Sequence, residues 1–388
     1  MDRDRGVGGV GILGVAQTRY GVADDRSLEE RIFAITNEAL SDAGIGHDAI
    51  DSVVAGCNDQ FDGRAISIMI TDGAFGGCGL DVLNTASTGE HALILAYMRL
   101  RAGLAGVTLV IGWSDLVGDS LRVVQGLASD PIYHRQLGMH DVVSYGLQAG
   151  AYEGRYGPCG EAAAAIVLKN RRAGMRNPLA ALRQETTREA VLGSPVEAWP
   201  IRAGMTGPLS SGIVAMVVAS RSWIDAHRRA PIAWVRGVGW SSDRYWLGER
   251  DLTALTSLAT AARMAYGQAA IANPMAEIDV CEIHDVTAYH ELMVYEALGF
   301  CGPGEGPRLA EAGLTGIDSD LPVNPSGGSL CANPYFATGL VRVAEAALQV
   351  GNRAGDRQVA GAKVALAQAT SGFAGQNNSV VILSSGNG

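Results

Sequence analysis

The stretch NPSGGSLCANPYFATG, residues 324–339, carries the strongest local signal in this 388-residue chain. Its paired glycines favour a tight loop, and the apolar spacing that follows predicts a helix over Thr338–Val350. The loop therefore delivers two polar side chains, Asn333 and Tyr335, to the start of a helix. The first backbone N–H groups of a helix have no intrahelical partner, so a helix start suits the binding of negative charge.

Three further segments place polar residues where a strand meets a helix or a loop. The segment LNTASTGEHA, residues 83–92, joins a predicted strand to a predicted helix and puts Ser87 at the helix start. The segment EIHDV, residues 282–286, places His284 at the carboxyl end of a strand, and ATSGFAGQN, residues 369–377, is predicted as a glycine loop before the last strand. Sites in open α/β sheets lie at the carboxyl ends of strands, so these segments predict one shared site.

Short apolar runs alternate with helical patterns, which predicts an α/β fold with a largely parallel, buried sheet. The charged break DAHRRAP, residues 225–231, is followed by a restart of the same pattern. We therefore divide the chain into an N-terminal half, 1–228, and a C-terminal half, 229–388. Residues 115–158 are rich in Gly, Tyr and His and are interpreted as an insertion over one end of the sheet, where binding contacts are common.

Composition and charge exclude several classes of function. The chain has 30 basic and 40 acidic residues, a net charge of −10, and no run of Lys or Arg, so neither nucleic acid nor an anionic membrane is expected as a partner. No apolar run reaches the roughly 18 residues of a membrane-spanning helix. The six cysteines show neither metal-ligand spacing nor a disulfide pattern, which predicts no metal and a cytoplasmic protein with reduced thiols.

In their order along the chain, the four segments resemble the motifs of the thiolase superfamily, in particular sterol-carrier-protein-type thiolases and bacterial lipid-transfer-protein homologues. PLSSGIVA at 208–215 and HDVTAYHELMVYEALGFC at 284–301 extend the resemblance over nearly the whole chain. The resemblance implies a thiolase-like fold, in which two similar halves form a five-layer αβαβα sandwich. It also implies a homodimer that acts on acyl-CoA, with the coenzyme A thioester as substrate and no bound cofactor.

The chain departs from the thiolase pattern at the residues that carry acyl transfer. Ala86, with Ser87 beside it, stands at the place of the nucleophilic cysteine, and Asn333 stands in the segment that corresponds to the family's Gly-His-Pro. The family's second cysteine is replaced near Thr370 or Ser371. Since an alcohol has no state comparable to a thiolate at pH 7, the cysteine route is disfavoured.

The remaining residues resemble those of the cysteine-less aldolases of steroid side-chain degradation, which work with a small OB-fold, zinc-ribbon partner protein. The resemblance implies retro-aldol cleavage of a bulky, lipid or steroid-like β-hydroxyacyl-CoA. His284 is expected to act as base or oxyanion donor, Asn333 to hold the thioester oxygen and Tyr335 to exchange the proton.

Two other functions stay open at this stage. One is an acyltransferase that uses another nucleophile, for which Ser87, paired with His91 one helical turn later, and Cys331 are candidates. The other is a non-catalytic, acyl-CoA-binding subunit of a complex.

Overall fold

A computed structural model describes residues 9–22, 24–63, 66–85, 88–115, 121–127 and 129–386. Its strands are β1 (Val10–Gln17), β2 (Ser52–Gly56), β3 (Asp81–Thr85), β4 (Val107–Ser114), β5 (Val196–Ala198), β6 (Ile201–Arg202), β7 (Gly212–Ser220), β8 (Ala233–Ser242), β9 (Val280–Glu282), β10 (Val364–Ser371) and β11 (Asn377–Ser384). Its helices are α1 (Leu28–Ala43), α2 (Asp59–Asp62), α3 (Ser67–Thr71), α4 (Gly89–Arg101), α5 (Leu121–Leu127), α6 (Asp141–Tyr156), α7 (Gly160–Gly174), α8 (Arg188–Leu192), α9 (Arg221–Ala226), α10 (Thr256–Ala269), α11 (Pro274–Glu277), α12 (Ala288–Ala297), α13 (Gly306–Glu311) and α14 (Thr338–Val350).

In the described part of the chain, a nine-stranded sheet repeats one strand order in its two halves. The first half has the order β3-β2-β4-β7-β1, and the second half has β9-β10-β11-β8. A parallel bridge between Cys281 of β9 and Val323 supplies the position that β3 occupies in the first half. The antiparallel pairing of β1 with β8, which places Val10 opposite Val235, joins the halves. The fold is therefore built from two similar halves.

The prediction of a largely parallel sheet is wrong, because the sheet is mixed. β2 pairs in parallel with β3 and β4, and β9 with β10, but β7 and β11 each run antiparallel to both of their neighbours. β11 follows β10 through the tight turn at 372–376, and a tight turn joins antiparallel strands. Residues 369–371, predicted as part of a glycine loop, thus end β10, and only 372–376 form the turn.

Helices α4 and α14 lie at the centre and contact each other; α4 packs against strands of the first half, and α14 packs against strands of both halves. Helix α1 covers β1 and β7 on one outer face, and α10 covers β8 and β11 on the other, which completes the five layers. The first turns of the central helices touch. A Cβ atom added to Gly89 would lie 2.8 Å from the Leu340 Cβ, and one added to Gly339 would lie 1.8 Å from the Glu90 carboxylate. The two glycines therefore let both helices begin at the same point.

The ends of α1 follow from local signals. Ser27 and Glu30, three residues apart, form a capping box, and Gly44 ends the helix in a left-handed conformation. The excursion between β4 and β7, predicted as an insertion over 115–158, continues in the structure to residue 211 and includes α5 to α8 and the β5–β6 hairpin. Among the described helices, none has the length and apolar character needed to span a membrane.

Candidate active site

A cavity of about 430 Å³ lies where the ends of β9 and β10 meet the excursion and the loop that precedes α14. We call it the central cavity. Its lining includes the following polar residues: Thr88, Gln125, Asp141, Tyr145, His284, Asn333, Tyr335, Thr370 and Ser371. Three of the four predicted site residues thus face one space, and the fourth, Ser87, lies outside the described residues.

His284 lines the central cavity as a neutral imidazole. Its Nδ1 atom accepts a hydrogen bond from the backbone N–H of Thr370 at 3.5 Å, and its own backbone N–H donates to Gln368 Oε1 at 3.0 Å. Burial, together with the nearby His290 and Arg342, lowers the pKa of His284 to about 3. Since Nδ1 accepts, the ring proton belongs on Nε2, which makes His284 a hydrogen-bond donor and a weak base.

Asn333 is held by a contact that fixes the orientation of its amide. The Thr338 hydroxyl, on the first residue of α14, donates to Asn333 Oδ1 at 2.9 Å. Because the oxygen is occupied, the Nδ2 group is the part of this buried side chain that can serve a ligand in the cavity. The Asn333 backbone is fixed too, since its carbonyl accepts from Ser210 N–H at 3.0 Å.

Tyr335 forms a polar cluster with two residues of the excursion. Its hydroxyl donates to Asp141 Oδ2, and the Gln125 amide donates to the same carboxylate at 2.9 Å and to the Tyr335 oxygen at 3.3 Å. Burial raises the pKa of Asp141, although the hydrogen bond from Tyr335 opposes that shift. Burial and the neighbouring Asp141 raise the pKa of Tyr335 well above its ordinary value. Tyr335 is therefore a neutral phenol whose proton is directed at a carboxylate.

The backbone at Tyr335 is itself unusual. Its φ of +32° lies in the left-handed region, which side chains disfavour. The ring is held in place by Phe61, which stacks on it with 4.8 Å between ring centroids, and by Phe336, which meets it edge-on. These contacts direct the hydroxyl towards the excursion.

Asp285 ties the loop at 324–333 to the segment after β9 that carries His284. Its carboxylate accepts the backbone N–H groups of Ser329 at 2.5 Å and Leu330 at 3.3 Å, and the Asn170 amide at 2.8 Å. Gly328 takes a left-handed φ of +64°, and a Cβ atom there would lie 2.4 Å from Asp285 Oδ1. Gly328 thus permits the close approach of the buried Asp285 carboxylate, which positions the loop.

Comparison with known proteins agrees with this architecture. A family model described as Thiolase C-terminal domain-like matches residues 239–385. An acetyl-CoA acetyltransferase of Methanothermobacter thermautotrophicus is 29% identical over 380 residues, which cover 94% of this chain and 97% of the relative. Sterol carrier protein 2 of Bos taurus is 29% identical over 379 residues, which cover 92% of this chain and 68% of the relative. These matches agree with the resemblance of the chain to the thiolase superfamily.

Solved structures show the same thiolase fold. The Ltp2-ChsH2(DUF35) aldolase superposes with a TM-score of 0.81 at 21% identity, and the match covers 97% of each chain. At this level of identity the likeness concerns the fold.

The thiolase motif puts the nucleophile at the start of α4. Ala86 and Ser87 lie outside the described residues, but Thr88, the N-cap of α4, is buried and lines the central cavity. Its hydroxyl donates to the Glu90 carboxylate, which also lies 3.2 Å from His91 Nδ1. His91 is thus engaged with an acid of its own helix.

Among the described residues, no cysteine lines the central cavity. Cys331, the nearest in sequence to Asn333, is fully buried, and its thiol donates to the backbone carbonyl of Asn170 at 3.3 Å. Burial raises the pKa of this thiol to about 12, which keeps it protonated. The same described residues contain no group of three or more His, Cys, Asp or Glu arranged to hold a metal ion.

Sequence reasoning missed Asp141, Gln125 and the role of Tyr145. Tyr145 meets His290 edge-on, with 5.1 Å between ring centroids, and it also lines the central cavity. The only available signal was the richness of 115–158 in polar aromatic residues, which marks the segment but selects no residue within it.

Proposed function

We propose that this protein cleaves a carbon–carbon bond in a β-hydroxyacyl-CoA by a retro-aldol reaction. The proposal rests on one observation: the central cavity contains two oriented hydrogen-bond donors and, beside them, a phenol that is hydrogen-bonded to a carboxylate. His284 and Asn333 are the donors, and Tyr335 and Asp141 are the phenol and the carboxylate. A retro-aldol step needs donors for an enolate and an acceptor for a hydroxyl proton, but it needs no nucleophile.

The proposed step begins at the β-hydroxyl group of the substrate. That group gives its proton to the Tyr335 oxygen while Tyr335 passes its own proton to Asp141. The bond between the α and β carbons then breaks, the β carbon leaves as a ketone or aldehyde, and the electron pair enters the thioester enolate. His284 Nε2–H and the Asn333 amide hold the enolate oxygen, and the proton returned from Asp141 through Tyr335 reaches the α carbon, which yields a shorter acyl-CoA.

The raised pKa of Tyr335 changes the role that the sequence analysis gave this residue. A phenol with a raised pKa is a poor base by itself, so Tyr335 serves as a relay to Asp141, the group that finally holds the proton. His284, with a pKa of about 3, is assigned to the enolate oxygen and not to proton abstraction.

A bulky substrate suits the apolar part of the cavity. Phe61, Phe336, Leu209 and Phe373 line it beside the polar groups, and Leu209 is 47% exposed, so apolar surface continues outwards from the site. We assign the acyl group to the lipid or steroid-like class on this ground and on the resemblance to steroid side-chain aldolases. The coenzyme A thioester is the substrate, and no bound cofactor enters the scheme.

The same resemblance underlies three further parts of the proposal: a homodimer, a small OB-fold, zinc-ribbon partner protein, and action in the cytoplasm. The dimer has support from the fold, because β3 is the terminal strand of the sheet and α3, the helix that precedes β3 in the chain, exposes Met69 and Ile70 by 70% and 50%. A terminal strand and exposed apolar side chains are both surfaces that a second copy can cover.

Acyl transfer is the second candidate, because sequence relatives of this chain are acetyl-CoA acetyltransferases. It requires a nucleophile other than cysteine, and Ser87 is the available residue at the helix start. A subunit that binds acyl-CoA without catalysis is the remaining alternative.

Product analysis separates the three. The protein is incubated with a β-hydroxyacyl-CoA of a branched or steroid-like acid, alone and with a co-purified partner. An aldolase releases a ketone or aldehyde and a shorter acyl-CoA without consuming free CoA. An acyltransferase gives products only when free CoA or a second acyl-CoA is consumed, and a binding subunit gives none. Either of the last two results contradicts the proposal.

A further inference from the structure

A second cavity, of about 500 Å³, lies between α7, α13 and the segment 316–325, on residues separate from those of the central cavity. We call it the α7–α13 cavity. Four cationic residues line it, namely Lys169, Arg172, Arg176 and Arg188, together with one acid, Asp318. The cavity lining is therefore positively charged, although the chain as a whole has a net charge of −10.

Helical spacing and the turn that follows the helix bring the cations together. Lys169 and Arg172 are three residues apart near the end of α7, which puts them on one side of the helix, and Arg176 lies in the turn just after the helix ends. Cations near a helix C-terminus stabilise the helix dipole, but that effect does not require them to line a shared cavity. Their convergence is therefore a feature of the cavity as well as of the helix.

The existing partners leave part of this positive charge unmatched. The Lys169 ammonium lies 2.7 Å from Glu291 Oε1 and 2.8 Å from the Val323 carbonyl, which occupies two of its three N–H donors and fixes its position. Arg188 pairs with Glu161 at 3.0 Å.

Arg172 and Arg176, unlike Lys169 and Arg188, have no acidic partner among the described residues. Both are exposed, and neither side chain makes a hydrogen bond or ion pair with any residue that the structure describes. Two guanidinium groups thus stand at a cavity wall beside a pre-positioned ammonium.

We propose that the α7–α13 cavity binds a phosphate-bearing anion. Guanidinium groups bind phosphate oxygens through two parallel N–H donors, and an ammonium adds a compact charge. A phosphate or diphosphate group carries enough charge and oxygen atoms to engage both arginines and the free N–H of Lys169 together. A singly charged carboxylate matches fewer of these donors. The phosphate group belongs either to a free phosphate compound or to the coenzyme A part of a thioester.

The test is calorimetric titration of the full-length protein with pyrophosphate at low ionic strength, with and without the double variant Arg172→Gln, Arg176→Gln. We expect saturable binding of one pyrophosphate per chain and a loss of affinity of about tenfold or more in the variant, since two charge-assisted contacts are removed. The matched control is Arg228→Gln, Arg263→Gln, which removes the same charge from exposed arginines outside the cavity. The control is expected to bind as the parent does.

Titration with CoA and with dephospho-CoA distinguishes the two sources of the phosphate. If binding of CoA is weakened by the double variant, the cavity holds a phosphate of the coenzyme. If only pyrophosphate binding is weakened, the ligand is a free phosphate compound. Both results support the site. Absence of saturable binding, or an equal loss of affinity in the variant and the control, overturns it. Because binding is measured directly, the result does not depend on the proposed reaction.

Discussion

The hydroxyl of Tyr335 donates a hydrogen bond to the carboxylate of Asp141, although the two residues are 194 positions apart in the sequence. The contact joins the loop before α14 to the first residue of α6, which belongs to the excursion. The C-terminal half thus supplies the phenol and the N-terminal half supplies the carboxylate. In the proposed relay, the acceptor of the proton from Tyr335 is therefore supplied by the other half of the chain.

This contact predicts an acid limb in the pH–rate profile that depends on both residues. The relay works while Asp141 is ionised, so kcat/KM should fall as pH drops through the raised pKa of Asp141, above the ordinary value of about 3.9. Tyr335→Phe and Asp141→Asn should each lower kcat by about 10²–10⁴ and flatten that limb. The rates can be measured from pH 5 to pH 9 by quenching the reaction at set times and quantifying the released ketone or aldehyde. Variants with the parent's profile would show that the relay does not operate.

His284 should lower the activation barrier of carbon–carbon cleavage equally at every pH between 5 and 9. Because its pKa is about 3, its ring stays neutral and its titration contributes no limb between pH 5 and pH 9. His284→Ala should reduce kcat by about 10²–10⁴ through loss of an enolate donor. His284→Asn, which keeps an N–H donor, should retain more activity than His284→Ala. Circular dichroism and thermal unfolding serve as folding controls, and unchanged turnover in a folded His284→Ala protein would contradict the assignment.

Much of the fold follows from local sequence signals. The capping box at Ser27 and Glu30 fixes the start of α1, and the predicted bounds of α14 agree with the structure. By contrast, the apolar pattern of residues 251–266 predicts a helix that starts at Asp251, but α10 begins at Thr256. The Asp251 carboxylate accepts hydrogen bonds from Thr253 and forms a turn instead. The prediction of a largely parallel sheet fails at β7 and β11. The direction of a strand is set by the path of the chain between strands and not by the apolar character of the strand itself.

Some residues of the candidate site could likewise be selected from the sequence, and others could not. His284, Asn333 and Tyr335 lie in compact motifs and could be selected from the sequence, and the structure brings them to one cavity. Asp141 and Gln125 could not be selected, because their proximity to Tyr335 arises from the folding of the excursion over the sheet. The raised pKa of Tyr335 is likewise a consequence of burial and of the Asp141 charge, neither of which a sequence motif displays.

The Asn333 amide should stabilise the enolate without any titration of its own. Asn333→Ala should therefore lower kcat by about 10²–10³ uniformly across pH, in contrast to Tyr335→Phe, which changes the shape of the profile. Thr338→Val removes the hydroxyl that orients the amide and should cause a smaller loss, on the order of tenfold. Parallel pH–rate profiles for parent and Asn333→Ala check this, and a loss confined to one side of the profile would assign Asn333 a different role.

No covalent acyl-enzyme should form during turnover. Intact-mass measurement after incubation with an acyl-CoA, with Ser87→Ala and Cys331→Ser as matched variants, is expected to show the unmodified mass in every case, since the Cys331 thiol is buried and protonated. An acyl adduct that disappears in Ser87→Ala would establish acyl transfer through that serine and would contradict the retro-aldol scheme.

The terminal strand β3 and the exposed face of α3 should form the interface between two copies of the chain. Met69→Glu with Ile70→Glu puts two charges on apolar side chains that are 70% and 50% exposed, so the fold should tolerate the changes while a contact that buries both side chains should not. Light scattering coupled to size-exclusion chromatography should give a dimer for the parent and a monomer for the variant. Leu104→Glu, which alters a 66% exposed apolar residue after α4, is the control for added surface charge and should stay dimeric. A variant at positions 69 and 70 that is still dimeric would place the interface elsewhere, and a monomeric parent with full activity would contradict the expectation of a dimer.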